Sequence, residues 1–269
     1  MTELHHDTLT VGDAAPERWI LFCHGILGRG ANWRGFARKL LQELPGWGAI
    51  LVDLRAHGGS RGVAGRDSLE TAAADLFDLF DARPVKAVVG HSFGGKVALE
   101  LSRHRPIEHL FVVDSLPAAR PEREGSEGTM RVVKMLRHAP AFFVDRAAFR
   151  GYVAEMGFSE SLALWLSQNL DPIDDGYELG LDIDRIEALL HDYFVTDLWS
   201  AIDPPPTSTT AHLIIGGEST VFDAEDHERA IDVAARHGRV HVTVLPEADH
   251  WVHVDDPEGL TAAIVEALA

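Results

Sequence analysis

The stretch KAVVGHSFGGKVALELSRH (86–104) constrains this chain more than any other. KAVVG is a short apolar run of the kind that fills a sheet buried on both faces, and FGGKVALELSRH reads as a helix. Only Gly90, His91 and Ser92 stand at the junction, too few for a loop. A chain passes from strand to helix this abruptly only through a sharp turn whose crowded backbone needs nearly bare positions two before and two after the apex. Gly90, Gly94 and Gly95 meet that need. A serine hydroxyl is a poor nucleophile unless held in the open beside a base, which is what such a turn does for Ser92. The helix behind it directs N–H groups at any developing oxyanion, with Phe93 supplying the first.

The rest of the chain repeats this rhythm. WILFC (19–23), AILVDL (49–54), HLFVVD (109–114), HLIIG (212–216) and HVTVL (241–245) are further short apolar runs closed by turn residues. Helical patterns lie between them at 32–44, 68–81, 223–238 and 257–268. Strands alternating with helices predict an α/β fold with a doubly wound, mostly parallel sheet. The rhythm fails between about Leu116 and Pro206. There EGTMRVVKMLRH, RAAFRGYVAEMG, SESLALWLSQNL and IDRIEALLHDYFVTDLW read as helices without strands. The expected organisation is a core of residues 1–115 and 207–269, with a helical lid, 116–206, inserted after the strand ending at Asp114.

Charge and composition exclude several classes. A net charge of −18 without a basic run argues against a nucleic-acid partner. No apolar stretch has membrane-spanning length, so no membrane insertion is expected. The opening MTELHHDTLT lacks a signal-peptide pattern, which makes a cytoplasmic protein the expectation. The single cysteine, Cys23, sits inside an apolar run as a core residue. No metal cluster or organic cofactor is called for, and nothing encodes the oligomeric state. LFCHGILGRGANW follows the first core strand. There His24 and Gly25 would let the backbone approach the nucleophile, and the N–H of Ile26 would pair with that of Phe93.

HGILG, DLRAHGGS (53–60), GHSFGG and ADHWVHVDDPE together resemble an α/β-hydrolase over nearly the whole chain. HGILGRGANW, VVDSLPA and LALWLSQNL are similar, more narrowly, to the small acyl esterases of the YbfF type. The fold's chain order puts the base after the last strand, which selects His250; His253 reads as a surface or helix-capping histidine. Asp249 departs from the glycine usual before that histidine. The acid normally follows HLIIG, where Ser219 stands instead. The candidates are Glu218, Asp223 and Asp114: Glu218 needs a different reach, Asp223 looks like a helix cap, and Asp114 ends a neighbouring strand. The resemblance favours Asp114, because YbfF-type enzymes carry their acid in the matching VVD-x-x-P run.

The sequence thus points to a serine hydrolase for a small-molecule ester or thioester of short-to-medium acyl chain, with Ser92, His250 and Asp114 as triad. His24, Gly25, His91, Phe142, Phe143, Trp165 and Trp251 are the expected substrate contacts. Two alternatives remain: another chemistry on the same machinery, such as a carbon–carbon hydrolase or a menaquinone-pathway-like lyase using Arg29 and Arg34 for a carboxylate, or a non-catalytic ligand receptor.

Overall fold

The computed structural model describes residues 4–123 and 128–269. The first three residues of the N-terminal run, and Glu127 at the head of the first lid helix pattern, lie outside them. Along the chain come β1 (His6–Leu9), β2 (Arg18–Cys23), α1 (Arg34–Glu43), β3 (Trp47–Val52), α2 (Leu69–Ala74), α3 (Phe77–Ala82), β4 (Val85–His91), α4 (Phe93–Ser102) and β5 (His109–Val113). Between β5 and the next sheet strand lie α5 (Gly128–Arg137), α6 (Arg146–Glu155), α7 (Glu160–Leu166), β6 (Leu170–Ile173), β7 (Gly176–Leu179) and α8 (Ile183–Val195). The sheet resumes with β8 (Thr210–Gly216), α9 (Ala224–Arg236) and β9 (Val240–Leu245), and the chain closes with α10 (Val252–Asp255) and α11 (Pro257–Leu268).

The seven-stranded sheet has the order β1-β3-β2-β4-β5-β8-β9. Every neighbouring pair is parallel except β1 with β3. Successive side chains on a strand point to opposite faces, so each inner strand feeds two cores. Leu21, Cys23, Val88, Leu110, Val112, Leu213 and Ile215 pack under α4 and α9. Ile20, Phe22, Val89, Phe111, Val113 and Ile214 pack under α1 and α11. Cys23 is buried, and burial pushes its thiol up to about 12, as befits a core residue. No helix among the described residues is long and apolar enough to cross a membrane.

Three features depart from the sequence reading. The pattern at 68–81 is two helices, α2 capped by Ser68 and α3 beginning at Phe77. His6–Leu9 is an edge strand, pairing residue for residue with Val52–Ala49. The segment expected to be wholly helical contains an antiparallel hairpin, in which Ile173 pairs with Gly176 across Asp174 and Asp175. That two-residue spacing is a hairpin signal that the surrounding helical periodicity overshadows.

His109, His212 and His241 stand side by side across β5, β8 and β9, and the His212 ring stacks on Phe111 with centroids 4.5 Å apart. Burial, reinforced by His241 and His109, pushes His212 down to about 4, whereas an unfolded histidine titrates near 6.5. Between those values the unfolded chain binds a proton that the native protein refuses, so stability falls as pH drops through that window. The melting temperature should fall between pH 6.5 and pH 4. His212→Phe, which keeps the ring on Phe111, should make that fall shallower; an unchanged slope would rule out His212 as a contributor.

Candidate active site

Parallel strands place their carboxyl ends along one edge, where the loops after β2, β4, β5, β8 and β9 meet. Ser92 sits at φ 52° and ψ −119°, a conformation that costs a side-chain-bearing residue energy and persists only when its surroundings enforce it. They do: its N–H donates to the Val113 carbonyl at 3.0 Å, and its carbonyl accepts from Gly95 N–H at 2.8 Å. A Cβ at Gly90 would overlap the Gly94 carbonyl, and one at Gly94 would press on the Cys23 carbonyl. The turn exists only because both positions are bare. As the first residue of α4, Phe93 presents its N–H ahead of the helix.

Asp114 follows β5 at φ 42° and is completely buried. Its Oδ1 accepts from Gly216 N–H at 3.1 Å, and its Oδ2 from the Ser219 hydroxyl at 2.6 Å and from His250 Nδ1 at 2.7 Å. The serine found where an acid was expected therefore hydrogen-bonds the acid next door. Glu218 is exposed, and Asp223 caps α9 by accepting from Asp226 N–H. The partner of His250 Nδ1 is Asp114. His250 is thus held through Nδ1 by Asp114, and it lines the same cavity as Ser92. The Asp249 carboxylate accepts the His250 backbone N–H at 2.7 Å.

Buried neutral histidines hold the surrounding loops. His24 Nε2 accepts from Leu54 N–H at 3.0 Å, so Nδ1 carries the proton and donates to the Gly25 carbonyl at 2.7 Å. His57 mirrors it, accepting from Leu27 N–H at 3.0 Å and donating to the Arg55 carbonyl at 2.8 Å. Burial lowers both, His57 to about 3. Ile26 lies in the turn so fixed, which Gly28 N–H closes on the Gly25 carbonyl. A Cβ at Gly25 would come within 3.0 Å of His91 Nδ1 and 3.5 Å of Ser92 Cβ. Asn169 reaches into this loop, donating to the Leu27 carbonyl at 2.7 Å and accepting from Arg29 Nε at 3.2 Å. His91, held neutral by burial and by the neighbouring His250 and His253, donates from Nε2 to the His250 carbonyl at 2.7 Å.

Two cavities meet at Ser92 and His250. The larger, about 410 Å³, is lined by His24, Gly25, Ile26, His91, Trp165 and Trp251, with Phe158 and Leu162 among its apolar walls. The smaller, about 300 Å³, lies between Phe93, Lys96, Leu116, Tyr193, Phe194 and Ser219. Phe142 and Phe143 line neither and are corrected as pocket residues. The backbone of Phe143 pairs with Tyr177 and its ring packs on Phe149, while Phe142 is left 42 % exposed. His253 is also corrected. Its ring packs on Trp33 at 4.5 Å and lines the larger cavity, and burial pushes it down to about 4. No group of three or more His, Cys, Asp or Glu among the described residues is arranged to hold a metal.

A strand–serine–helix elbow on a doubly wound sheet, facing a histidine from the last strand, defines the hydrolase class of this fold. The chain belongs to the alpha/beta hydrolase family, whose model matches residues 20–263. It is 26 % identical to the sn-1-specific diacylglycerol lipase ABHD11 of Danio rerio, over 96 % of this chain and 79 % of that protein. It is 26 % identical to the esterase YbfF of Escherichia coli, over 91 % of both. It is also 28 % identical to the 2-succinyl-6-hydroxy-2,4-cyclohexadiene-1-carboxylate synthase of Serratia proteamaculans, over 93 % of this chain and 92 % of that protein.

Ser219→Ala removes one of three donors from a buried carboxylate, a loss of about 1–3 kcal/mol. The variant should melt at a lower temperature and lose about tenfold in kcat/KM on a p-nitrophenyl ester. Unaltered values of both would show that the hydroxyl contributes nothing to Asp114.

Proposed function

We propose that the protein is a serine hydrolase that cleaves carboxylic esters or thioesters of small molecules through an acyl-enzyme. Ser92 Oγ attacks the acyl carbonyl while His250 accepts its proton, with Asp114 holding the Nδ1–H and stabilising the imidazolium that forms. The N–H groups of Ile26 and Phe93 receive the oxyanion. His250 then gives its proton to the departing alcohol or thiol, and later activates the water that releases the acid. The observation that carries this reading is the 2.7 Å contact between His250 and the buried Asp114, on a histidine that shares both cavities with Ser92.

The two arms suggest how substrate is held. The larger arm, walled by Phe158, Leu162, Trp165 and Trp251, suits a short-to-medium hydrocarbon acyl chain. The smaller arm adds Ser219, Thr220 and Arg120 and suits the more polar alcohol or thiol. In this reading residues 116–206 act as the lid over both, and the protein works as a cytoplasmic enzyme without a cofactor. The relatedness to a carboxylate-handling synthase keeps a lyase as second reading. The arginines expected to serve it are otherwise engaged, Arg29 with Asn169 and Asp171 and Arg34 with Asp7, and neither lines either of the two cavities at Ser92.

Hydrolysis of p-nitrophenyl acetate, butyrate and octanoate tests both. Ser92→Ala and Asp114→Asn should each lower kcat by about four orders of magnitude, with folding checked by circular dichroism, and Asp223→Asn should change it less than about twofold. Damage confined to Asp223→Asn would move the acid back to the β8 turn. A folded wild type inert toward every ester would end the esterase reading in favour of the lyase.

A further inference from the structure

Lys96 lies one helical turn beyond Ser92 on α4, with 1 % of its surface exposed. A buried ammonium is tolerated only when all three of its N–H groups find acceptors. Here Nζ donates to the carbonyls of Ala118 at 2.9 Å, Tyr193 at 2.6 Å and Thr196 at 2.7 Å, and lies 4.5 Å from the centroid of the Tyr193 ring. Asp197 and Asp192 face it and favour its charge, Arg120 opposes it, and burial pushes it down to about 7. The proposed chemistry gives this lysine no role.

Its acceptors come from the two ends of one segment. Ala118 lies on the stretch leaving β5, while Tyr193 is in the last turn of α8 and Thr196 caps that helix. Helix ends leave carbonyls without partners, and a cation there is favourable. One side chain therefore ties both ends of the inserted segment to the helix that starts at the elbow. The smaller cavity lies at that seam, with Lys96, Ala118, Leu190, Tyr193 and Phe194 in its wall.

We propose that Lys96 is a specificity-determining positioning residue, which fixes the wall of the smaller cavity and thereby selects the alcohol or thiol that fits beside Ser92. The proposal rests on Ser92 being the nucleophile. Removing the ammonium takes this donor from three carbonyls, two of them, Ala118 and Tyr193, on residues of the wall, and a wall that shifts to regain partners no longer holds one shape. The larger arm, built from α5, α7 and the loops carrying His24 and His250, does not share these contacts.

The test measures kcat and KM for Lys96→Met and for Lys96→Gln, which keeps two N–H donors, on two ester series. One varies the acyl chain from p-nitrophenyl acetate to octanoate. The other keeps butyrate and varies the leaving group through methanol, p-nitrophenol, 1-naphthol and ethanethiol. Dividing variant by wild type for each ester cancels the intrinsic reactivity of the leaving group. The expected result is a spread of about tenfold across the leaving-group series, expressed mainly in KM, beside a constant ratio across the acyl series. Lys96→Gln should fall between Met and wild type, and it carries the test should Lys96→Met fail to fold. One uniform factor across both series, with a lowered melting temperature, would overturn the proposal and leave Lys96 a stabilising residue. Full activity in Ser92→Ala would instead sink the reading beneath it.

Discussion

The carboxylate of Asp114 is the point around which the carboxyl edge of the sheet is arranged. A charge removed completely from water must be met by donors, and each of the three that meet it comes from a different part of the chain's end. Gly216 N–H sets the exit of β8, Ser219 closes the following turn, and His250 arrives from beyond β9. The strand order makes this possible, because β5 lies directly beside β8. An aspartate at the end of β5 reaches the same histidine as one at the β8 turn would, and the β8 turn then needs only a hydroxyl. The position of one charge thus determines what two later loops must carry.

Strain gathers along the same edge. Among the described residues the four non-glycine positions with positive φ are Leu27, Ala56, Ser92 and Asp114. Each follows, within four residues, the end of one of the strands β2 to β5. Such conformations cost on the order of 1–3 kcal/mol apiece. A sheet covered on both faces offsets them, and the buried hydrogen bonds of His24, His57 and Asp53 hold the loops in place. Asp53 accepts from Gly30 N–H at 2.8 Å and from Gly59 N–H at 2.9 Å, tying the loops after β2 and β3 to each other.

What was legible in the sequence was whatever has a period or a steric necessity. The apolar runs gave six strands of the main sheet, and Gly90, Gly94 and Gly95 marked the one turn that only bare residues allow. His6–Leu9 escaped because its four residues, three of them polar, carry no apolar run and gain their order from pairing with β3. The β6–β7 hairpin escaped because each strand is four residues long and flanked by strong helical periodicity. Hydrophobicity alone made Phe142 and Phe143 resemble a pocket wall. Where those rings point depends on the pairing of Phe143 with Tyr177, which no local pattern encodes. The place of His253 is hidden for a similar reason: four histidines, His24, His91, His250 and His253, line the cavity with Ser92, and spacing along the chain does not reveal which ring meets Trp33.

Asn169 joins two parts of the molecule that loop chemistry would otherwise leave independent. Its amide donates to the Leu27 carbonyl, one residue beyond the N–H assigned to the oxyanion, while its own oxygen holds Arg29. Lifting the α7–β6 segment away from the core breaks that bond and frees Leu27, which already sits in a strained conformation. The arrangement of the loop after β2 therefore depends on a side chain carried by the segment between β5 and β8.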